Sequence, residues 1–321
     1  MTAFHETARR AMTLALLAAA LRPLGGPLGG PLHAQQVADT DFRVAIPVPA
    51  YSAGTGPLVL LDEMHNNFHT RDGRYLVFGR VLAQDGYRVQ GTRELFSRAA
   101  LNKARVLVIA NALNPVNAKD WKLPTPSAFA PDEITAVRDW VRAGGSLLLI
   151  ADHMPFPGAA HDLAEAFGIH MLNGFAYDST RKISKFQYNR STGSLGSHAV
   201  TEGRSPRERI DSVVAFTGQA FWVDAPGTPL MTLARGTIVL EPSVAWQFDA
   251  NTPTEPGAGL LQGAVVPFGK GRVAVFGEAA MFSAQVAGAR RNPMGMNDPA
   301  APQNAQFLLN IMHWLTGLLG P

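Results

Sequence analysis

The chain has 321 residues, 46% hydrophobic and 17% charged, enough to bury one large core or two modest ones. Its formal net charge is +3 and it contains no cysteine. These values exclude disulfide stabilisation, a thiolate nucleophile, cysteine-ligated zinc and a lipoprotein anchor, and no Lys/Arg run or basic patch interleaved with aromatics points to nucleic acid.

Arg9-Arg10 precede the apolar run Ala11 to Leu21, and a Pro/Gly-rich stretch then leads to Leu32-His33-Ala34. A basic region, a short apolar region and a small residue before a cut define a secretory signal over residues 1–34. The run is too short to span a bilayer. The arginine pair also suggests twin-arginine export, but its flanks match that motif poorly, and the general secretory route is favoured. Cleavage would remove three arginines and one glutamate, leaving a charge near +1. No second long apolar segment follows, so the expectation is a periplasmic or secreted protein with no stable membrane insertion.

Residues 35–56 read as a lead-in, with Phe42 to Val48 as a weakly alternating edge strand. From Pro57 a strand–helix rhythm begins. Leu58 to Leu61 is the first central strand, Arg74 to Ala83 has helical spacing, and Asp85-Gly86 ends it. Tyr87 to Gln90 is a second strand, Arg93 to Leu101 a helix, and Arg105 to Ala110 a third strand. After a Pro-rich loop, Glu133 to Ala143 is amphipathic, with Ile134, Val137, Trp140 and Val141 on one face. Gly144-Gly145 stops it. Ser146 to Ile150 then reads as a strand buried on both faces, and Ala159 to Phe167 as a helix. Such alternation implies a doubly wound, mostly parallel α/β sheet. Residues 170–260 change character: Ile169 to Ala176, Ser212 to Phe216, Pro229 to Leu233, Thr237 to Leu240 and Ser243 to Phe248 read as short strands, a β-rich elaboration within one domain spanning 57–321. Arg272 to Phe276 is a further buried strand, and Asn304 to Leu319 a closing helix.

Four strands end in polar groups: Asp62, Glu63 and His65; Asn111; Asp152-His153; and Glu278. In a parallel sheet all four lie at the carboxyl edge, where ligands of open α/β sheets bind. Asp62, Glu63 and His65 suit a divalent metal that keeps a water to be activated. Asp152, His153 and Glu278 suit general acid–base catalysis, with or without a metal, and Asn111 and Asn66 suit substrate binding. The competing reading for Asp62 and Asp152 is a turn role, accepting backbone N–H bonds. His313 beside Trp314 reads as core. There is no HExxH, GxSxG, Walker A or GxGxxG motif.

The strand–helix order, with WVRAGGSLLLIADH and later GRVAVFGEAAMF, resembles the class I glutamine-amidotransferase-like superfamily, and more distantly trehalose-utilisation-type proteins. The resemblance covers roughly 57–170 and 260–320. It implies a flavodoxin-like sheet, with a site beyond the carboxyl ends of the strands. Members of that superfamily that hydrolyse glutamine carry a cysteine at the strand-to-helix elbow, which falls here at Ala151 to Met154, so thioester chemistry is excluded. Relatives without it serve as binding modules or as enzymes with a histidine or carboxylate at the elbow, and His153 lies there. The expected activity is therefore hydrolysis of a small polar or carbohydrate-like substrate; the alternative is a non-catalytic ligand-binding or scaffold domain.

Overall fold

The computed structural model describes residues 36–224 and 226–320, so the expected signal over residues 1–34 lies outside the described residues. At its centre is a nine-stranded sheet. Its strands are β1 (Leu58–Asp62), β2 (Arg88–Thr92), β3 (Val106–Ala110), β4 (Ser146–Ile150), β5 (Ile169–Met171), β6 (Phe221–Val223), β7 (Thr228–Thr232), β8 (Leu261–Phe268) and β9 (Gly271–Phe276). In space they run β2-β1-β3-β4-β9-β8-β6-β5, with β7 also paired to β8. The pairings from β2 to β9 are parallel, and those beyond β9 are antiparallel.

The parallel strands divide their side chains between two cores. Val59, Leu61, Val106, Val108, Leu148, Ile150, Ala274 and Phe276 face one, with helices α1 (Leu76–Gln84) and α4 (Asn304–Thr316) over them. Leu60, Leu107, Ile109, Leu147, Leu149, Val273 and Val275 face the other, under α2 (Pro131–Arg142) and α3 (Phe156–Glu165). The period of two along each strand makes this division, and burial on both faces explains why these strands read as unbroken apolar runs.

Several expectations change. Phe42 to Val48 forms no strand; the strand of that region is Gln36–Ala38, which pairs antiparallel with Ala284–Ala287. Only Arg98–Leu101 of the expected helix from Arg93 is helical, started by Ser97, whose hydroxyl accepts from the Ala100 N–H. Ser243 to Phe248 is irregular, because Trp246 takes a positive φ of 66°. Ile169 to Ala176 is two strands. The first joins the central sheet, and the second (Phe175–Asp178) joins a small sheet with Thr237–Leu240 and Thr254–Pro256. β6 and β7, within the expected elaboration, also belong to the central sheet. β8 hides in sequence because Gly263 and Pro267 interrupt it. Gly263 is needed for close packing: a Cβ there would lie 2.7 Å from the Phe276 ring.

One hydrogen-bonded polar pair sits inside the first core. His313 Nε2 on α4 is 2.7 Å from Asp85 Oδ2 after α1, and both side chains are fully buried. Asp85 Oδ1 also accepts from the Ala50 N–H at 2.7 Å. Removing one partner leaves the other desolvated and uncompensated. His313→Ala is expected to lower unfolding free energy by about 3–5 kcal/mol, and Asp85→Asn combined with it to recover part of the loss, both measured by urea unfolding.

Candidate active site at the carboxyl edge of the sheet

β1 ends at Asp62, and the following turn is built on that carboxylate. Asp62 Oδ1 accepts from the Met64 N–H at 3.1 Å, and Oδ2 accepts from Asn67 Nδ2 at 3.0 Å. The turn brings His65 Nδ1 back to within 2.9 Å of Asp62 Oδ2, while His65 Nε2 lies 3.1 Å from Glu133 Oε1. Glu133 sits in the first turn of α2, where its Oε1 also accepts from the Phe96 N–H at 2.9 Å and its Oε2 from the Ala130 N–H at 3.1 Å. Phe96 and Phe129 pack on the ring, each with its centroid 4.7 Å away. Burial disfavours the imidazolium, but the Asp62 hydrogen bond and the charges of Asp62 and Glu133 outweigh it and raise the His65 pKa above the ordinary value.

The expected metal group of Asp62, Glu63 and His65 is therefore not assembled. Both ring nitrogens of His65 face carboxylates. Glu63 turns away, accepting from the Arg71 N–H at 2.9 Å, with Arg93 Nε 3.6 Å from its other oxygen. Side chains alternate across a strand, so consecutive acids at its end diverge. Among the described residues no group of three or more His, Asp or Glu side chains is arranged to hold a metal ion. The His65 triad instead locks the β1 loop to α2.

A second group forms at the ends of β3, β4 and β9. Asn111 follows β3 with φ 51°, a left-handed conformation that asparagine tolerates. Its Oδ1 accepts from the Asp152 N–H at 2.9 Å, so Nδ2 is the atom facing His69 Nδ1 at 3.2 Å. Nδ2 can only donate; His69 Nδ1 accepts, and its proton is on Nε2, which is buried and finds no hydrogen-bond partner among the described residues. Burial holds the His69 pKa well below its ordinary value, helped by the charge of Arg74 and by His153. Asn66, also expected to bind substrate, has φ 47°, and its amide donates to the Leu113 carbonyl at 3.3 Å.

Asp152 Oδ1 accepts from the His153 N–H at 2.7 Å, and Oδ2 from the Ala279 N–H at 3.3 Å. Glu278, after β9, is fully buried; its oxygens accept from the Ala280 and Met281 N–H groups at 2.8 and 2.7 Å. Burial, and then the Asp152 charge, push the Glu278 carboxyl well above the usual carboxylate range. Tyr75 donates to the Ala279 carbonyl at 3.0 Å and braces the same loop. Asn111, Asp152 and Glu278 are thus brought together, as their strand-end positions predict.

His153 is bonded differently. Its Nδ1 lies 2.7 Å from the Met154 carbonyl, which can only accept, so Nδ1 carries the proton. Burial lowers the pKa more than the Asp152 charge and the Met154 carbonyl raise it. The neutral ring therefore leaves an acceptor lone pair on Nε2. It stacks on Phe175 at 4.6 Å, and Trp246, Phe156 and Trp121 ring it at 4.6, 5.7 and 5.9 Å. Asp152 and His153 each keep 7% exposure, whereas Glu278 keeps none. Glu278 is therefore closed to any ligand, whereas Asp152 and His153 are buried with a small exposed remnant.

Sequence reasoning ranks His69 as a weak candidate and gives no site role to Arg74, Tyr75 or Glu133. Glu133 had a usable signal, an acid at the start of a helix after Pro131. The others are aligned only by the fold.

No protein-family model matches the chain, and no curated protein matches it. Among solved structures, the mmIFT52 N-terminal domain superposes with a TM-score of 0.52 at 12% identity, covering 81% of this chain and 97% of that domain. That likeness shows a shared fold. A cytoplasmic protein from Salmonella typhimurium LT2 is 15% identical, with a TM-score of 0.46 over 80% of this chain and 98% of that one. A ThuA-like protein from Bacteroides uniformis is 12% identical, with a TM-score of 0.45 over 85% and 94%.

Because the folded pKa of His65 is raised, its contribution to stability is complete below the unfolded value of about 6.5 and is lost as pH rises through the folded value. The stability difference between wild type and His65→Gln, followed by urea unfolding across pH 5 to 9, is expected to shrink with rising pH.

Proposed function

We propose that this chain is an exported α/β domain of the glutamine-amidotransferase-like kind that binds a small polar, carbohydrate-like ligand over His153, at the carboxyl edge of the parallel strands. The leader-like composition of residues 1–34 supports export. The order β2-β1-β3-β4-β9 supports a flavodoxin-like sheet, whose ligands bind where strand order reverses. The observation that carries the reading is the neutral His153 ring, with its Nε2 acceptor and an aromatic surround. A hydroxyl donating to that nitrogen while a ring face meets an aromatic side chain is how a sugar is held.

Hydrolysis is the second reading, favoured by the same Nε2: a neutral imidazole is a competent general base for water. Asp152 would then fix the His153 backbone, and Glu278 would position the 279–281 loop without touching substrate.

Titration calorimetry with a panel of neutral mono- and disaccharides tests both. His153→Gln is expected to weaken binding about tenfold, the order of one lost charge-free hydrogen bond; undiminished affinity would overturn the proposal. Because the His153 pKa is lowered, the acceptor survives acidification until pH falls through a value below about 6.5, so the acid limb of binding should lie under that value. Release of reducing sugar that vanishes in His153→Gln would establish the hydrolase. Binding without turnover would establish the binding module.

A further inference from the structure

A groove of about 670 Å³ opens beside the His153 cluster, on the loop between Glu241 and Pro253. Its size lies within the roughly 300–1,000 Å³ usual for small-molecule sites. Trp246 and Phe248 give it aromatic walls, and Glu241, Ser243, Asp249 and Asn251 give it hydrogen-bonding groups. No lysine or arginine lines it.

Trp246 has φ 66°, a conformation that costs a bulky residue energy and persists only where surrounding structure enforces it. Two backbone bonds do so here. The Ala245 N–H donates to the Trp121 carbonyl, and the Leu123 N–H donates to the Ser243 carbonyl, both at 2.9 Å. They staple the loop to residues 121–123, and Trp246 is driven edge-on against His153 at 4.6 Å and Phe175 at 4.8 Å. One aromatic side chain is therefore shared by the groove and the His153 site.

We propose that this groove is a binding subsite for a neutral, hydroxyl-rich ring, with Trp246 as its stacking platform. The aromatic walls suit the apolar face of a sugar, the carboxylates and amide suit its hydroxyls, and a lining with carboxylates and no lysine or arginine disfavours phosphorylated or carboxylated ligands. Aromatic rings with acids also suit an amine. Burial and the neighbouring Glu255 charge raise the Glu241 pKa above the ordinary carboxylate value, which weakens its attraction for a cation. The inference rests on the carbohydrate-like class proposed above but on a different surface.

The test is titration calorimetry of the full chain with maltotriose, cellotriose and chitotriose, with spermidine as the cationic probe. Trp246→Gly accepts the left-handed backbone, which offsets part of the packing lost against His153 and Phe175, so the variant is expected to melt cooperatively while affinity for the bound trisaccharide falls at least tenfold. Trp246→Asn, which also tolerates this backbone, checks the result if the glycine variant unfolds. Glu241→Gln is expected to keep affinity within threefold. Binding of spermidine but no trisaccharide, no binding at all, or trisaccharide binding that survives loss of Trp246 would each overturn the subsite. Loss in His153→Gln with Trp246→Gly unaffected would leave the His153 reading standing and remove only this one.

Discussion

Polar groups at the end of a buried strand leave water, and the cost of that transfer shapes this protein's carboxyl edge. Four strands in parallel register deliver Asp62, Asn111, Asp152 and Glu278 to one rim of the sheet. An unpaired buried carboxylate or amide costs several kcal/mol, so each must find a partner within reach. Asp62 and Glu133 share one imidazole between them. Asn111 divides its amide between a backbone N–H and His69. Glu278 takes two backbone N–H groups and holds its proton more tightly besides.

The same accounting separates structural from available groups. His65 spends both nitrogens, and Glu278 both oxygens, inside the protein. His153 spends one nitrogen on the Met154 carbonyl, and His69 keeps a buried N–H that meets no partner among the described residues.

Much of this was legible from residues alone. Ser146 to Ile150 between Gly145 and Asp152 identified β4 to the residue, and the convergence of strand ends followed from the strand–helix rhythm. What failed was side-chain direction. Adjacent acids such as Asp62 and Glu63 look like a pair of ligands in one dimension, whereas the pleat sends them apart. Phe42 to Val48 and Ser243 to Phe248 alternate well enough for strands, but the first pairs with none of the described strands, and the second makes only a single bridge, Val244 to Lys122, before Trp246 takes a positive φ. β8 shows the converse: Gly263 and Pro267 argue against a strand, yet Phe276 and Met231 crowd the glycine, and pairing with β9 overrides propensity. His69 ranks low in sequence because its partner, Asn111, lies far along the chain.

The two ends of the large sheet differ in a way that bears on how the molecule avoids its own copies. β5 is only three residues long, and its central His170 lies under Trp222 at 4.9 Å, with its ring nitrogens turned to Glu165 and Asp224 at 2.8 and 3.2 Å. At the opposite end, β2 carries Arg88 and Gly91, and the Glu63 carboxylate lies where any side chain at 91 would have to go. Both rims are short and dressed with charge, the features that deny an incoming strand a template. Charge on those edge residues disfavours pairing of this sheet with a second copy of itself.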